Sequence, residues 1–209
     1  MENLYGRLYA EKQFRIIPNP VMEKVAYMPI VPGDCVLEVG ATNTDVMSHV
    51  RQKGGIYTGI DINPVAIGRV KKEEPNENFV VADVRHLPFE NDSFDKVVSI
   101  HTLEHVRYLS EAFAELYRVT KKGGQNIHIF PDDYFFKEES AIGDAFRVHP
   151  FNPVKAVRLA RSLHQYKITP REIRKNMTSA PFGASAYDNF QVRSFPLPRW
   201  NIYLRLFKF

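Results

Sequence analysis

Four residues decide what chemistry this sequence can support. Glu38 and Gly40 end the apolar run Cys35-Val-Leu-Glu-Val39, Asp61 follows Ile56-Tyr-Thr-Gly-Ile60, and Asp83 follows Phe79-Val-Val-Ala82. Asp61 lies 21 positions after Gly40, and Asp83 lies 22 positions after Asp61. Each separation fits one strand-helix-strand step, so all three segments would bring their last residues to one edge of a parallel sheet. A carboxylate after the second strand can accept hydrogen bonds from both ribose hydroxyls. One after the third can accept from the exocyclic amine of adenine, and a glycine at position 40 permits close backbone approach. Together these residues describe a pocket for adenosine, although Asp61 or Asp83 alone would equally read as a turn-forming carboxylate.

The elements that must position them follow from periodicity and punctuation. Cys35–Val39 reads as the first strand. Asp45 to Lys53 forms a helix with Val46, His49 and Val50 on one face, stopped at Gly54-Gly55. Ile56–Ile60 is the second strand, and Asn63-Pro64 caps and opens a helix through Lys72. Phe79–Ala82 and Phe94–Ile100 are strands three and four. Ser110 to Lys122 places Ala112, Phe113, Leu116 and Val119 inward, and Gly123-Gly124 ends that helix before strand five, Ile127–Phe130. After Pro131, about twenty aromatic and charged residues precede a helix from Pro153 to His164, longer than an ordinary loop. Thr169-Pro-Arg-Glu172 matches a capping box, and Asn201–Phe209 closes the chain as a strand. The expected fold class is α/β, a mostly parallel twisted sheet with helices on both faces. Residues 1–209 are read as a single domain: a core of about 20–130, a substrate-pocket insertion at 131–175 and terminal strands at 176–209.

Composition narrows the partners. The chain has 209 residues, 44% of them hydrophobic, and no window approaching the roughly 20 apolar residues of a membrane span. Its first residues lack the basic flank and apolar stretch of a signal peptide, so a soluble, cytoplasmic protein is expected. The lone Cys35 sits beside an apolar run and reads as an inert buried thiol. Residues 1–130 carry 15 Lys/Arg against 17 Asp/Glu, a balance of −2, whereas 131–209 carry 13 against 7, a balance of +6. An anionic partner would meet the second part. No metal site is expected: His101 and His105 have i, i+4 spacing, but a strand-to-helix junction between them would break the shared helical face. Ser99 lacks the Gly-x-Ser-x-Gly turn of an exposed nucleophile.

The segments Val36-Leu-Glu-Val-Gly40, Gly59-Ile-Asp61, Ala82-Asp83, Leu87-Pro-Phe89, Ser93-Phe-Asp-Lys-Val-Val-Ser99, Leu103-Glu-His105 and Arg118-Val-Thr-Lys-Lys-Gly-Gly124 occur in this order. Over roughly residues 20–130 they resemble class I S-adenosylmethionine (SAM)-dependent methyltransferases, of the broad small-molecule group that includes the ubiquinone and menaquinone biosynthesis enzymes. The resemblance implies a Rossmann-like fold with SAM as cofactor. It implies that Glu38, Gly40 and Ala41 flank the methionine part, with Thr42 in the same loop. Asp61 with Ile62 would hold the ribose, Asp83 with Val84 the adenine, and His101 would face the methyl-bearing sulfonium. One departure stands out: where the family carries Gly-x-Gly-x-Gly, this chain reads Gly40-Ala-Thr-Asn-Thr44. Thr42 and Thr44 place Cβ atoms near the expected cofactor path, which shifts the methionine end or adds hydroxyl contacts to its carboxylate. The same loop argues against a dinucleotide, whose pyrophosphate needs those glycines.

Methyl transfer from a sulfonium is an in-line displacement that needs no metal and gains much of its rate from positioning in a dry pocket. Where the acceptor must lose a proton, His101 is the best-placed base and His105 the weaker second, since His105 also reads as a locally bonded residue. The expected acceptor is a small molecule, apolar or anionic. Lys155, Arg158, Arg161 and His164 form a basic helical stripe beside Val154, Val157, Ala160 and Leu163, either an amphipathic surface or, with Arg147, Arg171, Arg174 and Lys175, an anion-attracting one. Tyr5, Tyr9 and Phe14, with Tyr134, Phe135, Phe136, Phe146 and Phe151, could form an apolar lid or cover sheet edges. An RNA methyltransferase is not favoured, because neither an Asn-Pro-Pro-aromatic motif nor a catalytic cysteine pair is present. A degenerate relative that binds a nucleoside or partner protein without catalysis stays open, as does a monomer or homodimer.

Overall fold

The computed structural model describes residues 25, 26, 28–42, 45–132, 151–155, 175, 176, 180, 182–192 and 199–208. The apolar run Cys35–Val39 is β1, and Ile56–Asp61, Asn78–Val81 and Phe94–Ile100 are β2, β3 and β4. Between them lie α1 at Asp45–Gln52 and α2 at Pro64–Glu73. Gly54, at φ +76°, turns the chain out of α1, and Asn63 caps α2 by accepting the Val65 N–H at 3.0 Å, with Pro64 in the first turn. A 3₁₀ turn at Leu103–His105 leads to α3, Leu109–Val119, then to β5, Thr120–Asp132. Gly183–Val192 and Arg199–Phe207 are β6 and β7.

The strands make one sheet in the order β3-β2-β1-β4-β5-β7-β6. β1 pairs parallel with β2 on one side and with β4 on the other, so the order reverses at β1. β3 and β5 extend the parallel part, β7 runs antiparallel to β5, and β6 antiparallel to β7. Period-two alternation buries both faces. Val36, Tyr57, Phe79, Val98, Ile127 and Ile129 pack with Val46, Met47 and Val50 of α1 and Ile67 and Val70 of α2. Leu37, Val39, Ile60, Val97, Phe130, Leu204 and Leu206 pack on the opposite face with Ala112, Phe113, Leu116 and Val119 of α3. The α/β expectation, a mostly parallel sheet with helices on both faces, describes this arrangement.

Three local expectations are corrected. In α1 the buried residues are Val46, Met47 and Val50; the buried face centres on Val50, with Val46 and Met47 on either side, and His49, about 100° round the helix from Val50, is half-buried. α3 ends at Val119, not Lys122. Thr120 Oγ1 donates to the Leu116 carbonyl at 2.6 Å and closes the last turn, Thr120 pairs with Phe94, and Lys121 meets Asp95 at 2.8 Å, all of which draw the chain into β5. Gly123-Gly124 therefore stops no helix. The pair lies where pairing jumps from Phe94↔Thr120 to Lys96↔Gln125, and Gly123 at φ +77° makes a bulge in the strand. The closing strand begins two residues earlier than Asn201.

Of the helix expected at 153–164, Pro153–Lys155 is helical, and Asn152 Oδ1 accepts the Lys155 N–H at 3.0 Å. Phe151 and Val154 are exposed. The capping box at 169–172, the basic residues Arg147, Arg158, Arg161, His164, Arg171 and Arg174, and the other aromatics of the expected lid lie outside the described residues. Among the described residues no helix is long and apolar enough to cross a membrane.

Candidate cofactor site

In an open α/β sheet the crevice for ligands lies beyond the carboxyl ends of the strands where the order reverses, here between β1 and its neighbours β2 and β4. Gly40 leaves β1 at φ +87°, and the N–H groups of Gly40 and Ala41 both donate to the Ile60 carbonyl, at 2.8 and 2.9 Å. A Cβ at Gly40 would fall on Thr102 Oγ1 and within 2.7 Å of its Cγ2. Only glycine fits where the ends of β1 and β4 close on each other. Ala41 and Thr42 are buried next to it, whereas Asn43 and Thr44 lie outside the described residues.

Beside Gly40, Glu38 is 3% exposed, and its Oε2 accepts the Tyr57 hydroxyl at 2.5 Å. Burial pushes its carboxyl up to about 8; the Tyr57 hydrogen bond opposes this, and the nearby charges of Asp45 and Asp61 add to it. Below that range Glu38 is a neutral acid. Asp61, half-buried at the end of β2, accepts the Asn63 N–H at 2.7 Å on Oδ1. Desolvation holds its carboxyl above the usual aspartate value despite that bond. Ile62 beside it is 66% exposed, an apolar side chain open to a ligand.

Asp83 has different surroundings. The Arg85 guanidinium clasps both its oxygens, Nε at 3.0 Å from Oδ1 and Nη2 at 2.5 Å from Oδ2, and the Arg85 N–H adds a bond of 2.9 Å to Oδ1. The guanidinium hydrogen bonds hold the Asp83 carboxyl below the ordinary aspartate value. Val84 is buried in the core on the α3 face. The structure thus brings Glu38, Gly40, Ala41, Thr42 and Asp61 together at the reversal point, and gives Asp83 a partner from its own turn.

His101 follows β4 in a left-handed conformation at φ +49°, half-buried, with its N–H donating to the Ile129 carbonyl at 2.8 Å. A non-glycine residue held there is strained, as residues at binding sites often are. His105 sits in the 3₁₀ turn, Nε2 3.7 Å from Glu104 Oε1, with its side chain 39% exposed. Among the described residues, no three His, Cys, Asp or Glu side chains converge as a metal-binding group.

Four contributors were not apparent from the sequence: Tyr57, Arg85, Thr102 and the buried pair Ser99–His128. Ser99 Oγ lies 2.8 Å from His128 Nδ1, and burial lowers the imidazole to about 3, keeping it neutral. The pair ties β4 to β5 two residues before His101. A tyrosine alternating with Gly59 along β2, and an arginine two residues after Asp83, were the signals available.

Residues 37–127 match a family described as a methyltransferase domain. Over that stretch the chain is similar to SAM-dependent methyltransferases, and its sheet has the Rossmann-like fold of the class I enzymes. The ubiquinone/menaquinone biosynthesis C-methyltransferase of Rhizobium etli is 34% identical to it over 103 residues, 45% of this chain and 40% of that one. An uncharacterized Methanocaldococcus jannaschii protein, MJ1252, is 31% identical over 134 residues, 64% of this chain and 49% of its own. The chain spans about half or less of the length of these curated relatives. A SAM-dependent methyltransferase of Methanosarcina mazei superposes with a TM-score of 0.66 at 18% identity, covering 88% of this chain and 96% of that one. That likeness in fold covers more of the chain than residues 37–127.

Proposed function

We propose that this domain transfers a methyl group from SAM to a small-molecule acceptor, apolar or anionic. The observation that carries the reading is the pairing of two desolvated carboxyls, Glu38 and Asp61, around a glycine that no other residue can replace, at the point where the strand order reverses. The donor set fits the cofactor. Asp61 gains from donors such as the two ribose hydroxyls, which restore the hydrogen bonding that burial removed. Exposed Ile62 gives an apolar wall beside it. Glu38, Gly40, Ala41 and Thr42 flank the methionine end, where an ammonium would meet the Glu38 carboxyl. Asp83 and Val84 take the adenine edge, once Arg85 yields or shares the carboxylate. When bound, SAM supplies an electrophilic methyl on a sulfonium. The protein's part is to hold the donor, exclude water and, for a protic acceptor, remove a proton, a role we assign to His101 with His105 as the second choice.

A second reading, a methyltransferase-fold protein that binds without catalysis, draws support from the engaged Asp83 and from the buried Thr42 in place of the family's glycine. Isothermal titration with SAM and S-adenosylhomocysteine (SAH) tests the cofactor assignment. Micromolar binding of both is the expected result, and no binding of either would overturn it. Transfer of labelled methyl to apolar and anionic acceptors then separates the readings, since a non-catalytic binder yields no product with any acceptor.

A further inference from the structure

Tyr57 meets the proposed cofactor site through Glu38, and its position is tightly specified. Glu38 of β1 is paired in register with Gly59 of β2, and Tyr57 precedes Gly59 by two residues on the same face of that strand. From there the Tyr57 ring reaches across Gly59, so that its hydroxyl meets Glu38 Oε2 at 2.5 Å. A Cβ at Gly59 would lie 2.5 Å from that hydroxyl, 2.7 Å from the Ala41 methyl and 2.8 Å from the Phe79 ring. Phe79 meets the Tyr57 ring edge-on, with centroids 5.6 Å apart. Tyr57, Ala41 and Phe79 are each at most 3% exposed. The missing side chain of Gly59 thus accommodates both the Tyr57 hydroxyl and the Ala41 methyl of the Gly40–Thr42 loop.

We propose that Tyr57 is a positioning residue: its hydroxyl pins the Glu38 carboxyl beneath the Gly40–Thr42 loop and sets its readiness to receive the ammonium group of the bound cofactor. This inference rests on the proposed function. The argument is one of donors and charges. Glu38 faces Tyr57 from β2, Asp45 from the start of α1 and Asp61 from the end of β2; Tyr57 in turn faces Glu38 and Glu77. Every charged neighbour of Glu38 in that set is acidic, and Tyr57 is the group that favours its ionised form. An ammonium binds the carboxylate, not the acid, so binding displaces a proton from Glu38, and the Tyr57 bond makes that easier.

The test is titration of SAH into wild-type protein and Tyr57→Phe from pH 6 to 9. The SAH amine titrates identically against both proteins, so the difference between the two profiles reports on the protein. The wild-type affinity should rise with pH. The variant should bind about tenfold more weakly near pH 7, the size of one hydrogen bond to a charged group, with its rise displaced to higher pH and the gap narrowing at pH 9. Glu38→Gln, an isostere of the neutral acid, should flatten the dependence, and adding Tyr57→Phe to it should cost nothing further. A Tyr57→Phe loss equal at every pH, or an undiminished loss in the Glu38→Gln background, would reduce Tyr57 to a packing residue and overturn the proposal. Failure of the wild type to bind SAH overturns both this inference and the proposed function, whereas wild-type binding with a Tyr57→Phe profile that coincides with it overturns the Tyr57 role alone.

Discussion

Asp61 and Asp83 close consecutive strands of one sheet, yet their carboxyls are displaced in opposite directions. Asp61 is desolvated and raised above the usual aspartate value; Asp83 is held below it by Arg85. The contrast shows that sequence position alone does not define a binding carboxylate. A desolvated carboxyl with one backbone donor has much to gain from ligand hydroxyls. One already held by a guanidinium must exchange one strong partner for another, and the net gain is small. The difference places the stronger hold on the ribose side of the proposed pocket.

The largest expected effect tests that directly. Asp61→Ala should weaken SAM binding on the order of 100-fold, about 3 kcal/mol for two hydrogen bonds to a charged group, whereas Asp83→Ala should cost less than about tenfold. Calorimetric titration of both variants measures the gap, and equal losses would erase the distinction between the two carboxylates.

Gly40→Ala tests the packing that keeps Glu38 and Asp61 together. The substitution combines a φ of +87° with a collision at Thr102. About 2 kcal/mol of stability should be lost, read from the denaturation midpoint. Thr102→Ala in the same chain should recover the collision part and leave the roughly 1 kcal/mol backbone part. Complete recovery would mean that the backbone conformation at residue 40 carries no cost.

The opposite displacements also predict opposite pH effects on the unliganded protein. Glu38 stays protonated up to about 8 when folded but ionises near 4.5 when unfolded. Across that window the native state binds more protons, so this contribution is full below the unfolded value and disappears as pH rises through 8. Its slope approaches the one-proton limit of about 1.4 kcal/mol per pH unit. Asp83, displaced downward, contributes stability that is present above 3.8 and lost in more acidic solution. Glu38→Gln should flatten the first limb of a stability profile from pH 3 to 9 and leave the second. An unchanged slope between pH 5 and 8 would show that Glu38 is not the group being titrated.

How far the site could be read from the sequence follows the same division between local and long-range determinants. β1, β4, the Asn63-Pro64 helix start and the carboxylates at the strand ends are local signals: an apolar run, a cap, a residue immediately after a strand. The Gly123-Gly124 pair misled because glycine ends a helix and makes a strand bulge by the same conformational freedom; Thr120, three residues earlier, decides between them through its bonds to Leu116 and Asn126. The Tyr57–Glu38 contact depends on the register of β1 against β2, which neither strand encodes alone. Arg85 is two residues from Asp83, but that its side chain folds back onto Asp83 is decided by rotamer, not spacing.

Arg85→Ala gives the smallest effect and sharpens the comparison from the other side. Both side chains of the pair are about a quarter exposed, at 27% and 26%, so the ion pair is screened by solvent and contributes little to folding. Removing the guanidinium frees Asp83 Oδ2 for the adenine amine and leaves Oδ1 with the backbone N–H of residue 85. SAM binding should then tighten by about twofold to threefold, a change of well under 1 kcal/mol, and the gain should shrink with added salt in the parent protein, which loosens the Arg85 clasp there as well. The Arg85→Ala, Asp83→Ala double variant should lose that gain, because the freed carboxylate is its source. A tenfold weakening in Arg85→Ala would reverse the assignment: Arg85 itself, and not Asp83, would be the ligand's partner after β3, and the two strand ends would differ in the sign of the charge they present.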